Sequence, residues 1–112
     1  MRRSVLHGAG VLGLAASVAH AAPDPAQVEL GAQLYLQMCR QCHGPELQSS
    51  GAGSFDLRQF PPDDPGRFQE SVMHGKNDGM PAHDDVLSSE DVDALFAYVV
   101  ATQQAQGQRG KP

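Results

Sequence analysis

The stretch Cys39-Arg40-Gln41-Cys42-His43 constrains this chain more than any other. On a helix these cysteines and the histidine stand at i, i+3 and i+4, so their side chains share one face. Two thiols one turn apart can each add to a vinyl group on one porphyrin edge. The imidazole beside them is then carried under the iron as an axial ligand. C-x-x-C-H is the spacing of covalent haem attachment of the c type. A thioredoxin-like redox pair needs strand–helix–strand context, and none is visible around these residues. A zinc site needs two more ligands, and only His74 and His83 follow in the chain. Haem is therefore favoured over a redox pair, half a zinc site or a local disulfide.

The rest of the chain predicts three helices and two loops that are too long for a protein-only core. Asp24-Pro25 combines a capping acid with the residue tolerated at the first helical position. Val28, Tyr35, Met38 and Cys42 then recur near helical spacing up to Gly44-Pro45. A second, short helix starts at Asp64-Pro65, carries Phe68 and Val72 four apart, and ends near Gly75. In the third, Ser88 and Asp91 form a weak capping box, with Asp in place of the preferred Glu. Val92, Leu95, Phe96 and Val99 follow on one face, to about Gln103. Residues 104–112 then read as a flexible tail. Residues 45–63 and 76–87, rich in Gly, Pro, Ser and Asp, need an organiser other than protein. With 5% aromatic residues and no Trp the core is thin. The expectation is an all-α domain of about three helices, with long loops wrapped around one covalent haem.

At 112 residues the chain has room for one ordinary domain. Residues 1–21 read as an export signal rather than as part of the fold. Met1-Arg2-Arg3 is basic, Val5 to Val18 is mostly small and apolar, and Ala19-His20-Ala21 offers small residues for cleavage near Ala21. That run is shorter than a membrane span and His7 interrupts it, so stable membrane insertion is not expected. Haem attachment of this kind is assembled outside the cytoplasm on an unfolded chain, which agrees with a periplasmic destination for residues 22–112. Basic residues number 8 against 13 acidic, a formal charge of −5, and cleavage would remove two of the basic ones. Such a chain lacks the positive field that nucleic acid requires. A monomer is expected.

The sixth ligand decides what a haem here can do. Met38 directly precedes the attachment cysteine and cannot reach the opposite face. Met73 lies beside Val72 on the short helix, where core filling is the simpler role. Met80 stands in a loop as Gly79-Met80-Pro81, where Gly79 permits a close backbone approach and Pro81 stiffens the chain. Met80 is thus the expected partner of His43 across the iron, with His74, His83 and Lys76 as the other donors. Arg58 is a candidate contact for a haem propionate.

The order of a helix with Gly31 and Tyr35, then Cys39-x-x-Cys42-His43, a loop, Met80-Pro81 and a last helix with Leu95, Phe96 and Tyr98 resembles a class I c-type cytochrome. The resemblance covers about residues 26–102. It implies that the first and last helices cross where a small residue meets aromatics, at Gly31, Tyr35, Phe96 and Tyr98. Phe55-Asp56-Leu57-Arg58-Gln59-Phe60-Pro61, Arg67-Phe68, Ser71-Val72 and Gly75-Lys76 are similar to small periplasmic cytochromes that accept electrons from pyrroloquinoline-quinone (PQQ) alcohol dehydrogenases. The implied role is a one-electron carrier between such a dehydrogenase and a terminal oxidase or another cytochrome, not an enzyme. In place of the family's Gly-Pro-x-Leu, residues 51–57 read Gly-Ala-Gly-Ser-Phe-Asp-Leu, which leaves the acceptor for His43 Nδ1 open. The aromatic residue common three places after the ligand Met is His83 here. The alternatives are a five-coordinate, peroxidase-like haem protein with His83 as the distal group, and a haem subunit fixed in a larger complex.

Overall fold

The computed structural model describes residues 8–13, 22–49, 53–77 and 79–109. Most of the expected leader therefore lies outside the described residues. Four α-helices follow in order: α1 (Pro25–Met38), α2 (Arg40–His43), α3 (Pro65–His74) and α4 (Ser89–Arg109), with single 3₁₀ turns at Pro45–Leu47 and Leu57–Gln59. No strand occurs among the described residues; the one sheet-like feature is an isolated antiparallel bridge between Lys76 and Met80. No described helix is long and apolar enough to cross a membrane.

The expected caps form. Asp24 caps α1, accepting from the Ala26 N–H at 3.1 Å ahead of Pro25 at the first turn. Asp64 does the same for α3 through the Arg67 N–H. At α4 the capping box is reciprocal: Ser88 N–H donates to Asp91 at 3.0 Å, and Asp91 N–H donates to Ser88 Oγ at 3.1 Å.

Helices α1 and α4 cross at Gly31. A Cβ there would collide with the Ala94 carbonyl and the Tyr98 Cβ, so the helix axes approach as closely as they do only because position 31 has no side chain. Tyr35 stacks on Tyr98 beside the crossing, with ring centroids 5.1 Å apart. Phe96 differs from the expectation. It packs on Phe68 at 5.1 Å and Phe60 at 6.3 Å, because residues 96 and 98 project from different sides of one helix. The core joins Tyr35, Leu47, Leu57, Phe60, Phe68, Val72, Leu87, Val92, Leu95 and Val99. No charged side chain is buried among the described residues.

Two element boundaries depart from the sequence pattern. The first helix breaks at Cys39, so the attachment segment is a separate single turn rather than the end of a long helix. The last helix runs on to Arg109 instead of ending near Gln103. Its extra turns are polar, which hid them from an apolar-period reading, and side-chain hydrogen bonds hold them down: Gln103 to Leu57 and Phe60, Gln106 to Glu46.

Candidate functional site

The site begins at the break after α1. Cys39 closes α1 through its N–H to Tyr35 O at 2.9 Å, and its own carbonyl then accepts from His43 N–H at 2.9 Å and Cys42 N–H at 3.2 Å. One turn thus carries Cys39, Cys42 and His43. The turn stops at Gly44, whose φ of +80° suits glycine and where a Cβ would strike the Gln48 carbonyl. Tyr35 Oη donates to Gly44 O at 2.6 Å and fixes that end. Burial, with Tyr98 adding, raises the Tyr35 phenol above its ordinary pKa, so it stays a donor. No disulfide joins the two cysteines. Burial, with Cys42 adding, pushes the Cys39 thiol up to about 11.

His43 Nδ1 lies 3.0 Å from the Phe55 carbonyl. A carbonyl can only accept, so Nδ1 carries the proton and Nε2 keeps its lone pair free for a metal. This answers the question the sequence left open. The acceptor is a main-chain atom in a segment without the family's proline, so no side chain announced it.

Phe55 leads into a braced loop. Asp56 caps the 57–59 turn through the Arg58 N–H at 3.0 Å and grips the same guanidinium with both carboxylate oxygens, the closest contact being 2.6 Å. Those hydrogen bonds hold the Asp56 carboxyl below its ordinary pKa. Phe60 closes the loop in the core, where it meets Phe68 edge-on at 5.4 Å. Arg58, the expected propionate contact, is committed to Asp56 and does not line the cleft beside this loop. Arg67 and Lys76 do.

Met80 sits on a second loop, tied to the end of α3. Lys76 and Met80 exchange backbone hydrogen bonds of 3.0 and 3.1 Å, closing a tight turn. The demanding glycine is Gly75, not Gly79. Gly75 has φ +76°, and a Cβ there would run into the backbone of Met80, Pro81 and Ala82, whereas a Cβ at Gly79 meets no protein atom within 4 Å. His83 anchors the far end, its N–H reaching Val72 O at 3.0 Å and its Nδ1 the same oxygen at 3.3 Å.

These segments border a cleft made of two adjoining hollows. Cys39, His43, Phe55, Lys76 and Met80 line both. The inner hollow is walled mainly by Leu57, Phe60, Phe68, Val72 and Val99, with Arg67 and Ser71 beside them. Cys42, Met38, Asn77, Pro81 and His83 border the outer one. The Arg67 guanidinium stands 5.1 Å over the Phe60 ring. Phe55 presents an apolar ring to the cleft and is 47% exposed. An apolar slot with a thiol pair at one edge, a pre-oriented imidazole, a thioether and two cations fits a large flat metallo-macrocycle bearing carboxylates. It does not fit a bare metal ion: the described residues contain no group of three or more His, Cys, Asp or Glu able to hold one. Of the other donors, Met73 packs against the core, and exposed His74 stands 3.8 Å from Glu70.

Fold and site together define a c-type cytochrome domain. Residues 26–99 match the family of cytochrome c oxidase, cbb3-type, subunit III, and the chain belongs to this cytochrome c family. It is 42% identical over 79 residues to the quinohemoprotein alcohol dehydrogenase ADH IIB of Pseudomonas putida, covering 69% of this chain and 11% of that protein. It is 38% identical over 78 residues to cytochrome c550 of Pseudomonas aeruginosa, covering 64% of this chain and 53% of that one. The chain therefore spans about a tenth of the dehydrogenase and about half of the cytochrome. No solved structure matches it significantly. Family membership implies haem c binding and electron transfer.

Proposed function

We propose that this chain is a soluble periplasmic one-electron carrier with a single haem c. In this reading Cys39 and Cys42 would hold the haem through thioethers, and His43 and Met80 would ligate its iron. The observation that carries it is the cleft itself, lined by Cys39, His43 and Met80 together, with the His43 tautomer already fixed by Phe55 O. A bound haem would supply reversible Fe(III)/Fe(II) exchange. The residues do the rest: with His43 and Met80 on the iron, no position stays open for substrate, oxygen or peroxide. Met80 favours the reduced state more than a second imidazole would. The aromatic wall would line one face of the ring, and Arg67, which borders the cleft as Arg58 does not, would take the propionate role.

The donor in this reading is a quinoprotein alcohol dehydrogenase and the acceptor a terminal oxidase or another cytochrome. The likeness to a segment of a quinohemoprotein alcohol dehydrogenase supports that choice. It also supports the second reading, a haem subunit fixed in a larger complex, which co-purification of a partner would favour.

The test has two parts. Acid–organic extraction of the purified protein is expected to leave the haem on the polypeptide; colour leaving with the solvent would refute the thioether assignment. The oxidised protein is expected to show the weak near-infrared iron–sulfur band, and Met80→Ala to abolish it and lower the reduction potential. A band unchanged in that variant would remove Met80 from the iron.

A further inference from the structure

We propose that Gln103 is a positioning residue that sets the hydrogen bond from His43 Nδ1 to the Phe55 carbonyl, and through it the reduction potential. This rests on the reading of His43 as an iron ligand. The Gln103 side-chain nitrogen donates to Leu57 O at 2.8 Å and to Phe60 O at 2.9 Å, so both amide protons clamp the two ends of the 57–59 turn. Phe55 is not held by burial of its own side chain, which is 47% exposed. Its carbonyl takes its position from its neighbours in the loop: Asp56 capping the turn, Phe60 locked in the core, and the Phe55 ring set edge-on to Phe60 at 6.4 Å. Beside the Phe96–Phe60 ring contact, Gln103 is the hydrogen-bonded tie from α4 to that block, and it grips the turn that follows the carbonyl orienting the imidazole.

The chemistry gives the effect a sign. A carbonyl accepting from Nδ1–H increases the basicity of Nε2, which favours Fe(III) and lowers the potential. Loosening the clamp weakens that hydrogen bond and raises the potential. Leu57 O and Phe60 O lose their shared donor when Gln103 is replaced by Leu, and meet a group that cannot donate when it is replaced by Glu. Gln106 is the natural comparator: it also donates from α4 to a loop carbonyl, Glu46 O at 2.7 Å, but off the 57–59 turn.

The experiment uses the haem-loaded protein. In the wild type, NMR of the reduced form is expected to show both Gln103 side-chain protons slowed in solvent exchange; fast exchange would overturn the proposal without any variant. In Gln103→Leu and Gln103→Glu the His43 Nδ1–H is expected to exchange roughly tenfold faster, the factor that one net hydrogen bond supplies. The potential is expected to shift upward in both, with helix content retained. Gln106→Leu is expected to change neither. A Gln103 variant with unchanged exchange and potential, or a Gln106 variant that moves both equally, overturns the proposal. A wild-type chain without low-spin haem overturns the functional reading first, and this inference with it.

Discussion

At the scale of single residues, the site is organised by main-chain acceptors. Phe55 O takes the His43 proton, Gly44 O takes that of Tyr35, and Val72 O takes two from His83. Tyr35→Phe should leave the buried Gly44 carbonyl without its donor and cost about 1 kcal/mol in denaturant unfolding at neutral pH. The pH dependence follows from the direction of the shift. Folding raises the Tyr35 pKa above its unfolded value near 10, so the phenol's contribution is complete below pH 10 and is lost as pH rises beyond it. Wild-type stability should therefore fall faster above pH 10 than that of Tyr35→Phe. Parallel decline of the two proteins would show that the phenol carries no such linkage.

At the scale of elements, the α1–α4 crossing is the firmest joint, and Gly31 is its test. Gly31→Ala places a methyl against the Ala94 backbone, which has no flexible end to yield. The helices must separate, at a cost of about 1–3 kcal/mol, and thermal unfolding of the haem-loaded protein should move down accordingly. An unchanged midpoint would mean that the crossing is looser than its geometry. Helix starts were legible in the sequence because Asp24-Pro25, Asp64-Pro65 and Ser88–Asp91 are local chemical signals. So were Cys39, Cys42 and His43, whose spacing is itself the signal. What was hidden depends on contacts distant in the chain. Gln103 looks like a fraying helix end and Gln106 like tail until the carbonyls of Leu57, Phe60 and Glu46 come within reach. Gly75 outranks Gly79 only once the Met80 loop folds back over it. Arg58 was a candidate for a haem propionate because its pairing with Asp56, two residues away, is not read from periodicity.

At the scale of the whole molecule, charge and cleft are unevenly disposed. Arg40 and Gln41 beside the attachment cysteines and Lys76, Asn77 and Ala82 around Met80 are neutral or basic and all exposed, and Lys76 and Asn77 line the outer hollow. The acidic side chains Asp63, Glu70, Glu90 and Asp93 are exposed on other segments, while Asp84 and Asp85 are exposed just past Ala82. With a net charge of −5, steering toward a partner of complementary charge should be screened beyond about 8 Å at physiological salt. The second-order rate of reduction by a quinoprotein alcohol dehydrogenase should therefore fall across a rising salt series. A flat series would dispose of steering, and no reduction at any salt would dispose of that partner.

The Gly31–Ala94 joint also governs timing. Its two halves lie in the first and last helices, so the segment just after α1 stays unshielded until α4 docks. If the haem is attached through thioethers, Cys39 and Cys42 would have to be reached as accessible thiols on an open strand, and the arrival of α4 would end that interval. A variant whose last helix docked too early, or a chain shortened between the two helices, would close the window on its own cofactor.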